Sequence, residues 1–244
     1  MTGSKVAIVT GGSRGIGRAV AVRLASDGVA VAVTYATSFQ AAQELVATVQ
    51  GGGGRAVAIR ADVAGAAQVL ALFAQTESQF GGVDVVVAAA GIMRPALLAQ
   101  ATDADFTAHV QVNIRGTFNV LREAARRVRD GGRIITFSST TSALNAPGYG
   151  TYNATKGAVE GFTRILAREI GPCGITVNAI APGPVETELF MAGKNVADVQ
   201  RLADLAPQHR IGQPVDMADA VALLVSADAG WINGQIVRVN GGIA

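Results

Sequence analysis

Runs of consecutive apolar residues recur along the chain at 6–10, 29–35, 56–60, 83–89, 133–138, 176–181 and 235–239. Segments of helical period separate them. A strand that is apolar at successive positions is covered on both faces, so the pattern predicts a parallel sheet with helices on each side, an α/β fold. In open sheets of this kind, ligands bind outside the carboxyl ends of the strands. Gly11 to Gly17, Asp62, Gly91, Ser139 and Pro182-Gly183 each follow a predicted strand end, which brings them to one rim. Gly51 to Gly54 reads as a flexible turn with no chemistry of its own.

The first strand leads straight into Gly11-Gly12-Ser13-Arg14-Gly15-Ile16-Gly17 and then into a helical segment. Glycines let the backbone turn tightly and approach a pyrophosphate, whose charge is met by free N–H groups at the helix N-terminus. The spacing Gly-x-x-x-Gly-x-Gly varies the common dinucleotide fingerprint, but its place between strand and helix is the same. After the second strand, an NAD-binding chain would carry an acid for the adenosine ribose. Here the residues are Tyr35-Ala36-Thr37-Ser38. With no carboxylate to repel a 2′-phosphate, with Thr37 and Ser38 hydroxyls to donate to one, and with Arg14 able to add charge, NADP(H) is expected over NAD(H). Asp62, followed by Val63, reads equally as an adenine contact or as a helix cap.

Size and composition narrow the class. The 244 residues, half of them hydrophobic, suffice for one large domain without metals or disulfides. The single cysteine, Cys173, cannot form an internal disulfide and reads as inert. No apolar stretch reaches membrane-spanning length and no signal segment is evident, so a cytoplasmic protein is expected. A net charge of +2 and an aromatic content of 5% argue against nucleic-acid binding. The one basic cluster, Arg122, Arg126, Arg127 and Arg129, reads as a solvated or subunit-facing stripe. His109 and His209 stand too far from other ligand residues for a metal site, and both read as packed or solvated.

Tyr152 and Lys156 lie four residues apart, one face of a helix, with Ser139 upstream. A tyrosine titrates near ~10 and exchanges protons poorly at neutral pH, so a neighbouring ammonium that lowers its pKa would make it a usable acid. The Tyr-x-x-x-Lys spacing is weak alone and gains weight from the glycine run.

Taken together, Thr10-Gly11-x-x-x-Gly15-x-Gly17, Asp62, Asn113, Ser139, Tyr152-x-x-x-Lys156 and Pro182-Gly183 resemble the short-chain dehydrogenase/reductase family in order and spacing, out to Asn240-Gly241-Gly242. The resemblance implies one Rossmann-like, doubly wound domain over residues 1–244 around a seven-stranded sheet, a homotetramer, and hydride exchange between a nicotinamide and a carbonyl or alcohol. It implies Tyr152 as proton donor, Lys156 as holder of the nicotinamide ribose, Ser139 on the substrate oxygen and Asn113 as a helix-distorting, water-holding link in a proton relay. Thr187, after Pro182-Gly183-Pro184-Val185-Glu186, matches a residue at the cofactor's carboxamide or phosphate end, and Val185 joins it in the cofactor set. Where the family carries Asn-Asn-Ala-Gly, this chain has Ala88-Ala89-Ala90-Gly91. Ala89 and Gly91 are still expected beside the cofactor, with looser support.

Substrate choice should reside in residues 91–98, 140–149 and a lid at 185–206, through Met93, Leu144, Tyr149, Leu189, Phe190 and Met191. The chain is closest in pattern to 3-oxoacyl-[acyl-carrier-protein] reductases and related ketoreductases. Positive charges expected for an acidic carrier protein are missing, with Pro172-Cys173-Gly174 and Asp130 in their places. The reading is a small-molecule ketone or keto ester reductase. An acyl-carrier reductase, a sugar or polyol dehydrogenase and a non-catalytic NADP(H) sensor remain as alternatives.

Overall fold

The structure, a computed structural model, describes residues 4–244. Seven strands form one parallel sheet in the order β3-β2-β1-β4-β5-β6-β7. They are β1 (Val6–Thr10), β2 (Ala30–Tyr35), β3 (Ala56–Arg60), β4 (Val83–Ala88), β5 (Val128–Phe137), β6 (Thr176–Pro182) and β7 (Ile236–Val239). Every side chain of β1 is buried. Ala7 and Val9 enter one core, Ile8 the other, as the alternation of side chains across a strand requires.

The first core packs α1 (Gly15–Ser26), α2 (Phe39–Gly51) and α10 (Pro214–Val225) on the sheet. The opposite core is formed with α3 (Ala66–Phe80), α5 (Thr117–Arg127) and α7 (Gly150–Glu169). Between α4 (Asp103–His109) and α5 the helix widens into a π-helical turn, Val110–Gly116. Three short helices lie at the rim: α6 (Thr141–Leu144), α8 (Glu188–Met191) and α9 (Val196–Ala203). No described helix is long and apolar enough to cross a membrane.

The expected strands are all present, with shifts at their ends. The largest is in β5, which begins at Val128, five residues before the expected start. Val128 pairs with Val83, and the register then jumps so that Arg133 pairs with Val85. The extra residues bulge out, and Gly131 takes the left-handed φ of +78° that such an excursion needs. Asp130 therefore belongs to a bulge within β5.

The arginine cluster, expected as a solvated or subunit-facing stripe, is paired within the chain. Glu123 is buried at 2% exposure, and Arg126 and Arg127 reach it at 3.1 and 3.3 Å. Arg127 also holds Glu77 at 2.7 Å, and Arg129 reaches Asp84 at 3.3 Å. A buried carboxylate needs such partners, and only tertiary packing supplies Glu77 and Asp84. Glu123→Ala is expected to destabilise the fold by ~2 kcal/mol in urea unfolding, less than the ~3–5 kcal/mol typical of a fully buried pair, because the arginines left behind reach water.

Candidate active site

The glycine run closes tightly against the neighbouring strand. Gly11 has a φ of +63°, and a Cβ there would lie 2.9 Å from Ala90 Cα. A Cβ on Gly17 would strike the Gly11 carbonyl. These are positions only glycine fits, and they bring bare backbone to the crevice. Helix α1 begins at Gly15 with no side-chain cap and no acidic residue in its first turn, so its N–H groups are free to meet an anion. The adjoining cleft, ≈ 360 Å³, is lined by Ser13, Arg14 and Ile16, by Tyr35, Thr37 and Ser38, and by Asp62 and Val63. Cradle, helix end and cleft together fit a dinucleotide.

Two residues of this cleft have partners that the sequence did not reveal. Arg14 faces Glu188 of α8 at 3.6 Å, both well exposed. Asp62 accepts from the Ala64 N–H at 2.9 Å, and α3 starts after Gly65, so Asp62 makes a local turn and is not the helix cap. The Ala88-Ala89-Ala90-Gly91 segment has its own support, since the Ala90 N–H donates to Thr10 Oγ1 at 3.2 Å.

A second, mostly apolar cleft of ≈ 200 Å³ adjoins the first, and Ala89, Gly91 and Thr187 line both. Ser139, Tyr152 and Lys156 meet in it, together with Pro182, Gly183 and Val185. Met93, Leu144, Tyr149, Leu189 and Phe190 form its walls as expected, with Leu202 of α9 in addition, whereas Met191 is not among the lining residues. Lys156 is the only charged side chain in that lining. Thr187 caps α8, its hydroxyl accepting from Phe190 N–H at 3.2 Å.

Ser139 is set by residues that no motif singles out. Its Oγ lies 2.8 Å from Thr141 Oγ1, which donates to Asn153 Oδ1 at 2.6 Å. Asn113 sits in the π-helical turn, the distortion its motif implied. Its side-chain amide is committed to structure, accepting from Ile92 N–H and donating to the Ile92 carbonyl, both at 2.9 Å, and donating to Thr155 Oγ1 at 3.1 Å. Thr155 in turn donates to the Tyr152 carbonyl at 2.7 Å, tying α7 to that turn. Polar residues flanking the motif were the only signal for Thr141, Asn153 and Thr155.

The electrostatics depart from the expected pairing. Lys156 Nζ donates to the Phe137 carbonyl at 2.8 Å and stands 5.3 Å from the centre of the Tyr152 ring. Burial dominates both groups: it pushes the Tyr152 hydroxyl up to about 12, against the pull of a hydrogen bond with Ser139, and brings the Lys156 ammonium down to about 8. Tyr152 therefore stands above the ordinary tyrosine value and not below it, because burial outweighs the hydrogen bond with Ser139.

Comparison with known proteins agrees with this architecture. A family model described as Enoyl-(Acyl carrier protein) reductase matches residues 11–244. A short-chain type dehydrogenase/reductase of Picea abies is 44% identical over 98% of this chain and 92% of its own length. Versicolorin reductase 1 of Aspergillus parasiticus is 42% identical, over 98% of this chain and 95% of its own. A short-chain dehydrogenase from Burkholderia cenocepacia, solved in complex with NADP, superposes with a TM-score of 0.93 at 39% identity, covering 99% of this chain and 98% of that one. The chain belongs to the short-chain dehydrogenase/reductase family, an oxidoreductase family, and its sheet is the Rossmann-like α/β fold of these structures. Its pattern within the family is that of the ketoreductases.

The lowered Lys156 value has a consequence for stability. The folded chain holds this proton less tightly than the unfolded chain, whose lysine keeps the ordinary 10.5, so the buried charge is a penalty below about 8 that fades as pH rises towards 10.5. Lys156→Met is expected to melt above the wild type at neutral pH, with the gap closing by pH 10.5, in thermal unfolding followed without cofactor.

Proposed function

We propose that this chain is an NADPH-dependent carbonyl reductase that converts an uncharged ketone or keto ester into a secondary alcohol, with Tyr152 as proton donor. The observation that carries the reading is the meeting of Ser139, Tyr152 and Lys156 in one apolar cleft beside the glycine cradle, with no second charge in its lining. In this reading the chain acts as one NADP-binding domain and residues 185–206 are its lid.

The backbone of Gly11, Ser13, Gly15 and Gly17 would hold the pyrophosphate, with Ile16 packed beneath it. Tyr35, Thr37, Ser38 and Arg14 would receive the adenosine ribose and its phosphate, while Asp62 and Val63 would flank the adenine. Ala89, Gly91, Lys156 and Tyr152 would border the nicotinamide ribose, and Pro182, Gly183, Val185 and Thr187 the carboxamide end. When bound, the nicotinamide supplies hydride. NADP(H) over NAD(H) is supported by the missing acid after β2 and by the NADP complex of the Burkholderia relative.

Ser139 and Tyr152 hold the substrate oxygen with two hydroxyl donors, which favour the negative charge that grows there in the transition state. Tyr152, with its pKa pushed up to about 12, is protonated at neutral pH, the state a donor needs, and gives its proton to that oxygen. Lys156, still charged at neutral pH, stabilises the phenolate left behind. Asn113 keeps the adjoining turn open for the proton's return from solvent. The apolar walls exclude water and select a neutral substrate. The exposed Phe118 on α5 and Ile165 on α7 offer apolar surface for the homotetramer that completes this reading, set in the cytoplasm.

NADPH oxidation by the purified chain against ketones, keto esters and a 3-oxoacyl thioester tests the proposal. Turnover of plain ketones is expected; turnover of the thioester alone would favour an acyl-carrier reductase, and tight NADPH binding with no turnover a sensor. Tyr152→Phe is expected to lose ~10²–10⁴-fold in kcat while NADPH binding persists; near-normal turnover would refute the assignment of the acid. Arg14→Ala is expected to weaken NADPH by roughly tenfold, the scale of one hydrogen bond to a charged group, and to leave NADH almost unchanged. Equal losses for both cofactors would remove Arg14 from the phosphate site.

A further inference from the structure

Two side chains one turn apart, His109 and Asn113, grip the same stretch of backbone at the edge of the apolar cleft. Asn113 takes both polar groups of Ile92. His109 accepts the Arg94 N–H at Nε2, 3.1 Å away. Between these anchors lies Met93, whose side chain walls the cleft. Further on, the Ala96 N–H donates to the Gly148 carbonyl at 2.9 Å, which ties the segment to the turn that precedes Tyr149.

His109 is fully buried, at 0% exposure. Its Nδ1 lies 2.9 Å from the Asp105 carbonyl. A carbonyl only accepts, so Nδ1 carries the proton and Nε2 presents its lone pair to Arg94, which fixes the neutral tautomer. The Arg94 guanidinium reaches back to the Asp105 carboxylate at 2.9 Å. A closed circuit of Arg94, His109 and Asp105 results, with the imidazole packed in a T-shaped arrangement against the Tyr152 ring, ring centres 6.3 Å apart. A histidine with one nitrogen on its own helix and the other on the opposite loop acts as a spacer of fixed length. An apolar residue of similar size would fill the volume and leave the Arg94 N–H without an acceptor.

We propose that His109 is a positioning residue for the substrate: by holding Arg94 it sets Met93 as a fixed wall of the cleft and thereby governs the KM for the ketone. The inference rests on the carbonyl-reductase reading above. His109 does not line the cofactor cleft and meets the reacting groups only through the packing of its ring on Tyr152, which the volume of a leucine keeps, so its effect should fall on substrate binding.

The test compares His109→Leu, which removes the acceptor, with His109→Gln, whose side-chain carbonyl can replace it. His109→Leu is expected to raise the KM for the ketone roughly tenfold, the factor carried by one lost part-buried hydrogen bond, with kcat and NADPH affinity within about twofold. The same variant should speed exchange of the Arg94 amide hydrogen, and His109→Gln should restore both readouts most of the way. An unchanged KM in His109→Leu overturns the proposal, as do parallel losses of kcat, KM and NADPH affinity that glutamine does not restore. If the wild type turns over no ketone, the carbonyl-reductase reading fails by itself. Faster Arg94 exchange in His109→Leu would then still support the tether, and unaltered exchange would overturn it.

Discussion

β1 lies between β2 and β4, and the chain leaves β1 and β4 towards opposite faces of the sheet. This divergence opens a crevice above the two strands that no connection crosses, the switch point at which open α/β sheets bind their ligands. The close approach of Gly11 to the Ala90 backbone narrows the crevice floor, and the uncapped start of α1 gives it an anion-seeking end. Every other feature of the site is placed relative to that floor. β5 and β6 extend the rim on one side, carrying Ser139 and Gly183 just beyond their ends, and α7 leans across to bring Tyr152 and Lys156 into the same cleft.

The cleft sets two physical demands against each other. A hydroxyl and an ammonium interact most strongly in a dry, low-dielectric site, yet dryness is what pushes Tyr152 up and Lys156 down. The lysine is met by a directed hydrogen bond to the Phe137 carbonyl, and the neighbouring Ser139 hydroxyl draws the tyrosine part of the way back. Ser139 is steadied by Thr141 and Asn153. An uncharged ligand adds no charge to this balance, whereas a carboxylate or phosphate would find Lys156 as the one cation in the lining.

Much of this was legible in the sequence because it depends on local spacing. Strand runs, the glycine turn, the Tyr-x-x-x-Lys pair and the rim positions all follow from periodicity or from residues a few places apart. What escaped depends on contacts between distant segments. The β5 bulge is a mismatch of register with β4 that neither strand reveals alone. Glu123 gathers arginines from its own helix, but Glu77 joins them from α3. Met191 and Leu202 exchanged places as cleft residues because the fold of 185–206 into two short helices decides which side chains turn inward. The Tyr152 and Lys156 electrostatics could not be read from a four-residue spacing, since the decisive quantity is burial.

The π-helical turn at Val110–Gly116 carries a consequence for the rod in which it sits. An added residue in one turn advances everything downstream by about 100° around the axis, the rotation per residue of an α-helix. The rod from Asp103 to Arg127 is therefore two helices in different phase that share one backbone. The part up to Asn113 is aimed at the cleft, where His109 and Asn113 meet the loop after β4. The part beyond Gly116 is aimed at the sheet, where Val120, Leu121 and Ala124 pack. One element thus serves as strut for the core and as jaw for the site, and the break in phase keeps the two tasks on separate faces.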